Sequence, residues 1–419
     1  MKYTHENASE ILSEAKQQYE KYLSMHLNLN MSRGKPAPDQ LAISSGLLDA
    51  IDSKTVLNVN GNDYRNYGIL DGIPEAKELF ASLCGVKTSQ ICVMGNSSLN
   101  IMYDMVQRGM QFGYSGEKPM NAQKNLKWLC PAPGYDRHFS VTELFGFELI
   151  CVPMTETGPD MDVVEEYVKD ETVKGIWCVP KYSNPQGYVY SDETVERFAK
   201  LKPAAKDFRI YWDNAYGVHF LDEDVPLLNL LNEADKYGNE DIVFMFGSTS
   251  KISFAGAGVA YICCSENNMT QLKKLLSYQT IGHDKINQYA HVLYYKNADG
   301  IKEHMKKMAN VLRPKFLKVF EVLESEGKGL MTWTVPKGGY FISCDLPEGT
   351  AKRTVELAKE AGVVFTGAGA TYPYKKDPHD SNVRIAPSYP PVNELGVAMN
   401  VFCCCAKIAW AEKELSCKE

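Results

Sequence analysis

The spacing of apolar residues changes character twice along the chain. Near the start, Ile11, Leu12, Ala15, Tyr19, Tyr22 and Leu23 recur at intervals near 3.6, so an amphipathic helix is expected over residues 6–23. Residues 28–38 are rich in turn formers and carry Ser32-Arg33-Gly34-Lys35-Pro36, which reads as a loop. A second helix is expected from Pro74, whose missing N–H costs nothing in a first turn, to Gly85, which suits the position just past a helix end. Short apolar runs follow, separated by helical stretches, at residues 91–94, 127–130, 148–152, 175–179, 209–212, 243–246 and 259–263. Several are nearly continuous rather than alternating, as in strands buried on both faces of a mostly parallel sheet covered by helices. Beyond about residue 300 the texture changes again. A long amphipathic helix is expected over 311–323, and short strands over 340–344, 363–366 and 383–386. The expectation is an α/β protein with a large domain on a mostly parallel seven-stranded sheet and a smaller α+β domain. Residues 1–50 would contribute to the small domain, 51–300 would form the large one, and 301–419 would complete the small one.

Composition narrows the class. At 419 residues the chain is about three times a ~150-residue domain, which agrees with a two-part reading. Hydrophobic residues at 44% and charged residues at 23% permit a sizeable core and exclude general disorder. Lys plus Arg number 45 against 52 Asp plus Glu, a net charge of −7, which argues against a dedicated nucleic-acid binder and fits an enzyme of small molecules. The 12 cysteines include the run Cys403, Cys404 and Cys405. Neighbours in a helical segment do not meet the geometry of a disulfide, and no CxxC or His/Cys pair has metal-ligand spacing. Buried thiols in a reducing cytoplasm, and no metal, are expected. Residues 1–10 lack the apolar core of a signal peptide, and no run is expected to reach the roughly 20 apolar residues of a membrane span.

Four clusters carry candidate chemistry. In Gly247-Ser248-Thr249-Ser250-Lys251 a lysine follows a strand in tight surroundings, where desolvation can lower its pKa and allow a Schiff base; a solvated surface lysine is the alternative. In Ile210-Tyr211-Trp212-Asp213-Asn214-Ala215-Tyr216 an acid ends an apolar strand, placed to face a pocket outside the strand's carboxyl end. It can hold a pyridine nitrogen protonated or simply cap a helix. Lys181-Tyr182-Ser183-Asn184-Pro185-Gln186-Gly187 is a turn that either aims the Asn184 amide into a pocket or is only a turn. Met94-Gly95-Asn96-Ser97-Ser98-Leu99-Asn100 joins a strand to a helix, and offers backbone N–H groups to a phosphate or an ordinary N-cap.

The order of these clusters, with Pro133-Gly134-Tyr135 between them and Asn382-Val383-Arg384-Ile385-Ala386 late in the chain, resembles the fold-type I, class I/II aminotransferases that use pyridoxal 5′-phosphate (PLP). The resemblance runs from about residue 28 to about 390. Ser32-Arg33-Gly34-Lys35-Pro36 and the segment Thr280-Ile281-Gly282 through Asp284-Lys285-Ile286-Asn287-Gln288 look like the subgroup Ic aspartate aminotransferases. It implies that Lys251 would hold PLP and shuttle the proton, that Asp213 would pair with the pyridinium nitrogen, and that Asn184 and Tyr216 would hydrogen-bond the phenolic oxygen. Tyr135 would stack on the ring, and Asn96, Ser97, Ser98 and Ser248 would bind the phosphate. Tyr67, in Asn66-Tyr67-Gly68-Ile69-Leu70-Asp71-Gly72, looks like the family's tyrosine that reaches the phosphate of the neighbouring subunit, so a homodimer is implied. Arg384 would clamp the substrate α-carboxylate, and Gly34 would let the backbone approach it.

One departure stands out. Most members place an arginine eight residues after the lysine, and here residues 252–259 hold no cation. Ser248, the helix start at Asn96 and Lys285 are the candidate replacements. The implied activity is transfer of an amino group between an amino acid and a 2-oxo acid, with aspartate and 2-oxoglutarate as the leading pair. Arg33 and Lys35, then Arg137 and Lys181, are candidate partners for a second carboxylate. An alanine or aromatic aminotransferase and a PLP β-lyase or decarboxylase are the alternatives on the same fold. A PLP-binding transcription regulator would want an N-terminal DNA-binding module, and a dinucleotide dehydrogenase would want G-x-G-x-x-G after its first strand, which residues 95–100 lack.

Overall fold

The computed structural model describes residues 3–416, so the extreme ends, with Cys417, lie outside the described residues. All seven apolar runs are strands of one sheet. Its spatial order is Ile91–Val93, Ala260–Cys264, Val243–Ser248, Arg209–Asp213, Val173–Cys178, Lys127–Ala132, Glu148–Thr155 and Gly158–Pro159. The sheet thus has eight strands rather than the expected seven. The extra one is a two-residue return that pairs antiparallel with the end of Glu148–Thr155, too short to leave a periodic signal. Pairing from Val243–Ser248 across to Glu148–Thr155 is parallel. Ala260–Cys264 runs antiparallel to both of its neighbours. The link from Ser248 to Ala260 has no room for a crossover helix, so the chain turns back on itself there, as a hairpin does. Lys251 sits in that turn, at the carboxyl edge of the sheet.

The helices lie where the patterning places them, with informative differences. Ala8–Ser24 buries Ile11, Ala15 and Tyr19. Pro74–Cys84 opens on its proline and closes at Gly85, whose φ of 67° is left-handed. The expected loop at 28–38 holds a two-residue strand, Leu29–Asn30, paired in parallel with Val363–Val364, and Pro38 already begins a helix. The helix expected at 311–323 spans Ala298–Val322, capped at its start by the Asn297 side chain. Thr332–Trp333, Ile342–Asp345 and Asn382–Ile385 form a separate antiparallel three-stranded sheet.

Val392–Ser416 revises the membrane reading: by length and hydropathy it passes as a span. It is nevertheless largely buried, packing on Ala8–Ser24, Ala298–Val322 and Ala351–Glu360. Cys403, Cys404 and Cys405 lie inside this packing, and burial pushes all three thiols up. Not every cysteine is enclosed, because Cys151 is exposed and Cys84 half-buried.

Candidate active site

The carboxyl ends of the parallel strands and the small sheet enclose a cavity of about 680 Å³. Each neighbouring strand delivers one group. Lys127–Ala132 leads to Tyr135, Val173–Cys178 to Asn184, Arg209–Asp213 ends in Asp213, and Val243–Ser248 leads to Lys251. Arg384 comes from Asn382–Ile385 of the small sheet, opposite Ser343. Pairing of Leu29–Asn30 with Val363–Val364 draws the N-terminal segment to the same place, and Thr366 Oγ1 donates to the Ser32 carbonyl at 2.9 Å. Ser32, Arg33, Gly34 and Lys35 therefore line the cavity. Of the residues singled out in the sequence, Arg33, Gly34, Lys35, Ser97, Ser98, Tyr135, Arg137, Asn184, Asp213, Tyr216, Ser248, Lys251 and Arg384 meet here.

Four others do not. Asn96 lines an adjoining cavity with Phe254, Gly256 and Asn287, and its side chain donates to the Gly256 carbonyl at 3.4 Å. Tyr67 is 83% exposed and outside the cavity. Lys181 is buried in an ion pair with Asp224 at 2.6 Å, facing away. Lys285 is buried too, and donates to the carbonyl of Gly68 at 3.1 Å.

The electrostatics centre on three groups. Among the described residues the Lys251 ammonium has no hydrogen-bond or ion-pair partner and lies 4.8 Å from the Tyr216 ring centroid. Burial lowers its pKa, against a smaller upward pull from Asp213. Asp213 is buried; its Oδ2 meets His138 Nε2 at 3.0 Å, while Oδ1 is buried with no partner among the described residues. His138 is stacked on Trp177 at 4.5 Å, and Trp177 donates to Thr142, so the contact to Asp213 is fixed from behind. Burial raises the Tyr135 hydroxyl to about 12 and pushes Tyr216 well up, so both remain protonated donors at neutral pH. Arg384 lies on the Phe341 ring at 4.7 Å. Its Nη1 donates to Asp136 Oδ1 at 3.1 Å and Asn184 Oδ1 at 3.2 Å, and its Nη2 to Thr366 Oγ1 at 3.3 Å.

At the other end, Ser97 precedes the 15-residue helix Ser98–Phe112. Ser248 and Ser250 share a 2.5 Å hydroxyl contact, and Ser250 Oγ donates to the Asn96 carbonyl at 3.0 Å. Sequence reasoning passed over Ser250, His138, Asp136 and Thr366. Tyr135-x-x-His138 at helical spacing was the one available sign of His138.

An unpartnered amine, a buried carboxylate oxygen without a donor, aromatic walls and a hydroxyl-lined helix start fit PLP by donor and acceptor chemistry. Comparison with known proteins agrees with this geometry. The chain is 45% identical over 401 residues to the aspartate aminotransferase of Corynebacterium glutamicum, covering 95% of this chain and 93% of that one. A solved aspartate transaminase from the same organism superposes with a TM-score of 0.96 at 44% identity, covering 98% of both chains. The α-aminoadipate aminotransferase of Thermus thermophilus, solved with N-(5′-phosphopyridoxyl)-L-leucine, shares the fold with a TM-score of 0.76 at 20% identity, over 95% of each chain. Residues 3–418 match the aspartate amino-transferase family as a whole. The chain therefore belongs to that family, and it is an aminotransferase of fold type I, whose members in general depend on PLP.

Proposed function

We propose that this aminotransferase binds PLP through Lys251 and exchanges amino groups between aspartate and 2-oxoglutarate. One observation carries the reading. Besides Lys251, the cavity that joins Lys251 to Asp213 is lined by four cationic side chains, Arg33, Lys35, Arg137 and Arg384, against two carboxylates, Asp136 and Asp213, in a chain whose net charge is −7. Such a site favours substrates with two carboxylates. Lys181 is committed to Asp224 and Lys35 lies over the Tyr389 ring at 4.1 Å. That leaves Arg33 and Arg137, exposed at the cavity, for the side-chain carboxylate. The name of the C. glutamicum relative supports the same substrate.

When bound, PLP supplies an aldehyde for the amino group and a ring that accepts the electron pair left by the α-proton. The chain's own groups do the rest. Asp213 Oδ1 would accept the ring N–H, while His138 holds the other oxygen. Asn184 and Tyr216 would hydrogen-bond the ring's phenolic oxygen, and Tyr135 would stack on the ring. Ser97, Ser98, Ser248 and Ser250, with the N–H groups opening Ser98–Phe112, would receive the phosphate, and the Asn96 carbonyl holds the Ser248 and Ser250 hydroxyls. Arg384 binds the α-carboxylate as a bidentate pair. The Lys251 amine, kept neutral more readily by burial, would take the α-proton and give it to the cofactor's former aldehyde carbon, across the substrate nitrogen. Tyr67 serves the neighbouring site of a homodimer.

Lys251→Ala tests this directly. The variant is expected to lose transamination and the borohydride-sensitive yellow colour of a lysine-bound cofactor. Retention of both would refute the assignment. Mixing the enzyme with single amino acids, and following the loss of that colour, ranks the substrates; aspartate is expected to act fastest and alanine far more slowly.

A further inference from the structure

Arg384 is 7% exposed, and one of its cavity-side contacts is not neutral. Nη1 is engaged by the Asp136 carboxylate at 3.1 Å and by the Asn184 carbonyl oxygen, Nη2 by the Thr366 hydroxyl, and Nε is buried with no partner among the described residues. A substrate carboxylate needs two parallel N–H groups of this guanidinium. One N–H of Nη1 is already given to an anion of the protein itself. Asp136 is the first residue of Asp136–Leu144, and its side chain, 32% exposed, lines the same cavity. It is thus wet enough to be rehydrated when displaced, and Arg137 beside it lines the cavity too.

From this geometry we infer that Asp136 is a specificity-determining residue: it pairs with Arg384 in place of the substrate α-carboxylate and yields only to a ligand that brings a carboxylate of its own. The inference rests on the reading of Arg384 as the α-carboxylate clamp. The physical reason is charge balance. Separating a largely buried guanidinium from its carboxylate is costly unless another anion replaces it. An amine or amide without an α-carboxylate cannot make that replacement, whereas an amino acid or oxo acid can. Affinity for true substrates is correspondingly reduced, because each must outcompete an internal carboxylate. Selectivity is bought with affinity.

The test compares holoenzymes carrying Asp136→Asn, Asp136→Ser, Asp136→Glu and Arg384→Ala. Maleate, a dicarboxylate with no amino group, is titrated by calorimetry, and KM is measured for aspartate and 2-oxoglutarate. Asp136→Asn and Asp136→Ser are expected to bind maleate about tenfold more tightly, the order set by one charge-assisted hydrogen bond no longer competed for. Both KM values fall with it, and Asp136→Glu returns affinity toward that of the parent. Serine is read beside asparagine because it also suits a helix start, so a folding defect in one variant does not decide the matter. Unchanged or weaker maleate binding in folded Asp136→Asn and Asp136→Ser overturns the inference. Arg384→Ala separates the two readings. If it too leaves maleate binding intact, the clamp itself is misassigned; if it abolishes binding while the Asp136 variants match the parent, only the role of Asp136 falls.

Discussion

Gly34 shows what a single residue contributes at the cavity. A Cβ placed there would lie 2.3 Å from Cζ of Phe341, and Phe341 is the ring beneath the Arg384 guanidinium. The glycine is needed because the ring occupies the space, in addition to any approach of backbone to substrate. Gly34→Ala is therefore expected to move the ring and with it the clamp, raising KM for both aspartate and 2-oxoglutarate and costing about 1–3 kcal/mol by overpacking. Steady-state kinetics with thermal unfolding would reveal it; a changed melting point with unchanged KM would uncouple the ring from the clamp. The cations divide differently. Arg33→Ala and Arg137→Ala are expected to raise KM for aspartate while leaving turnover of alanine untouched, since alanine has no second carboxylate. Equal losses on both amino acids would show that these arginines do not read the side chain. Lys251, Asp213, Tyr135 and Asn184 were legible because each ends or follows a strand in a short recognisable run, and Arg384 because it lies within one, Asn382–Ile385. His138 was not, since its meaning lies in a contact to Asp213, 75 residues further on, that no local pattern encodes. Asp136 and Thr366 were hidden for the same reason, both meeting Arg384 only after the small sheet closes over the large one.

At the level of elements, the turn that carries Lys251 is held by histidines from two helices. His291 of Lys285–Tyr295 meets Thr249 Oγ1 at 3.1 Å and Ser253 Oγ at 2.9 Å, and His304 of Ala298–Val322 bonds the Ile252 carbonyl at 2.9 Å. Burial lowers the pKa of both, and takes that of nearby His219 from 6.5 to about 3. The sign follows from linkage. Below pH 6.5 the unfolded chain binds more protons at these rings than the native protein does. Their contribution is whole above pH 6.5 and is lost as pH falls below it, for His219 through about 3. The unfolding free energy from urea titration is expected to drop between pH 7 and pH 5, by at most about 1.4 kcal/mol per pH unit for each such histidine. His291→Gln is expected to flatten that slope, and an unaltered slope would mean that this ring titrates as freely when folded. The elements also mark where patterning stops being informative. The buried strands were readable as continuous apolar runs. Val392–Ser416 was not readable as a soluble core helix, because three helices surround it and leave no polar face to give a period. In Ala298–Val322 the first half was overlooked because Lys and Glu crowd its outer face, although Ile301, Met305, Met308 and Leu312 keep the helical spacing inside.

Across the whole molecule, the residue that the single chain leaves unexplained is Tyr67. Its ring is exposed, yet the backbone beneath it is fastened. The Gly68 carbonyl accepts the buried Lys285 ammonium, and Gly282 packs so closely on it that a Cβ would lie 2.3 Å from the Gly68 oxygen. Lys285, a sequence candidate for the phosphate, instead holds this loop. An aromatic side chain held outward on a braced loop, with Tyr278 and Ile281 also exposed, is where the proposed homodimer would meet its partner. A two-fold partner places the same loop on both subunits at once. Subunit mixing decides whether the ring completes the other chain's site. A Lys251→Ala chain retains Tyr67 but has no catalytic amine, whereas a Tyr67→Ala chain retains the amine. If Tyr67 crosses, a hybrid of the two contains one site with both groups intact. Co-expressed, differently tagged chains purified as hybrids are then expected to exceed the mean activity of the two parent proteins. If Tyr67 instead serves its own chain, the hybrid contains no intact site and its activity stays at that mean. The measurement also bears on the missing arginine, since recovery accompanied by tighter cofactor retention would put part of the phosphate's binding on the partner subunit.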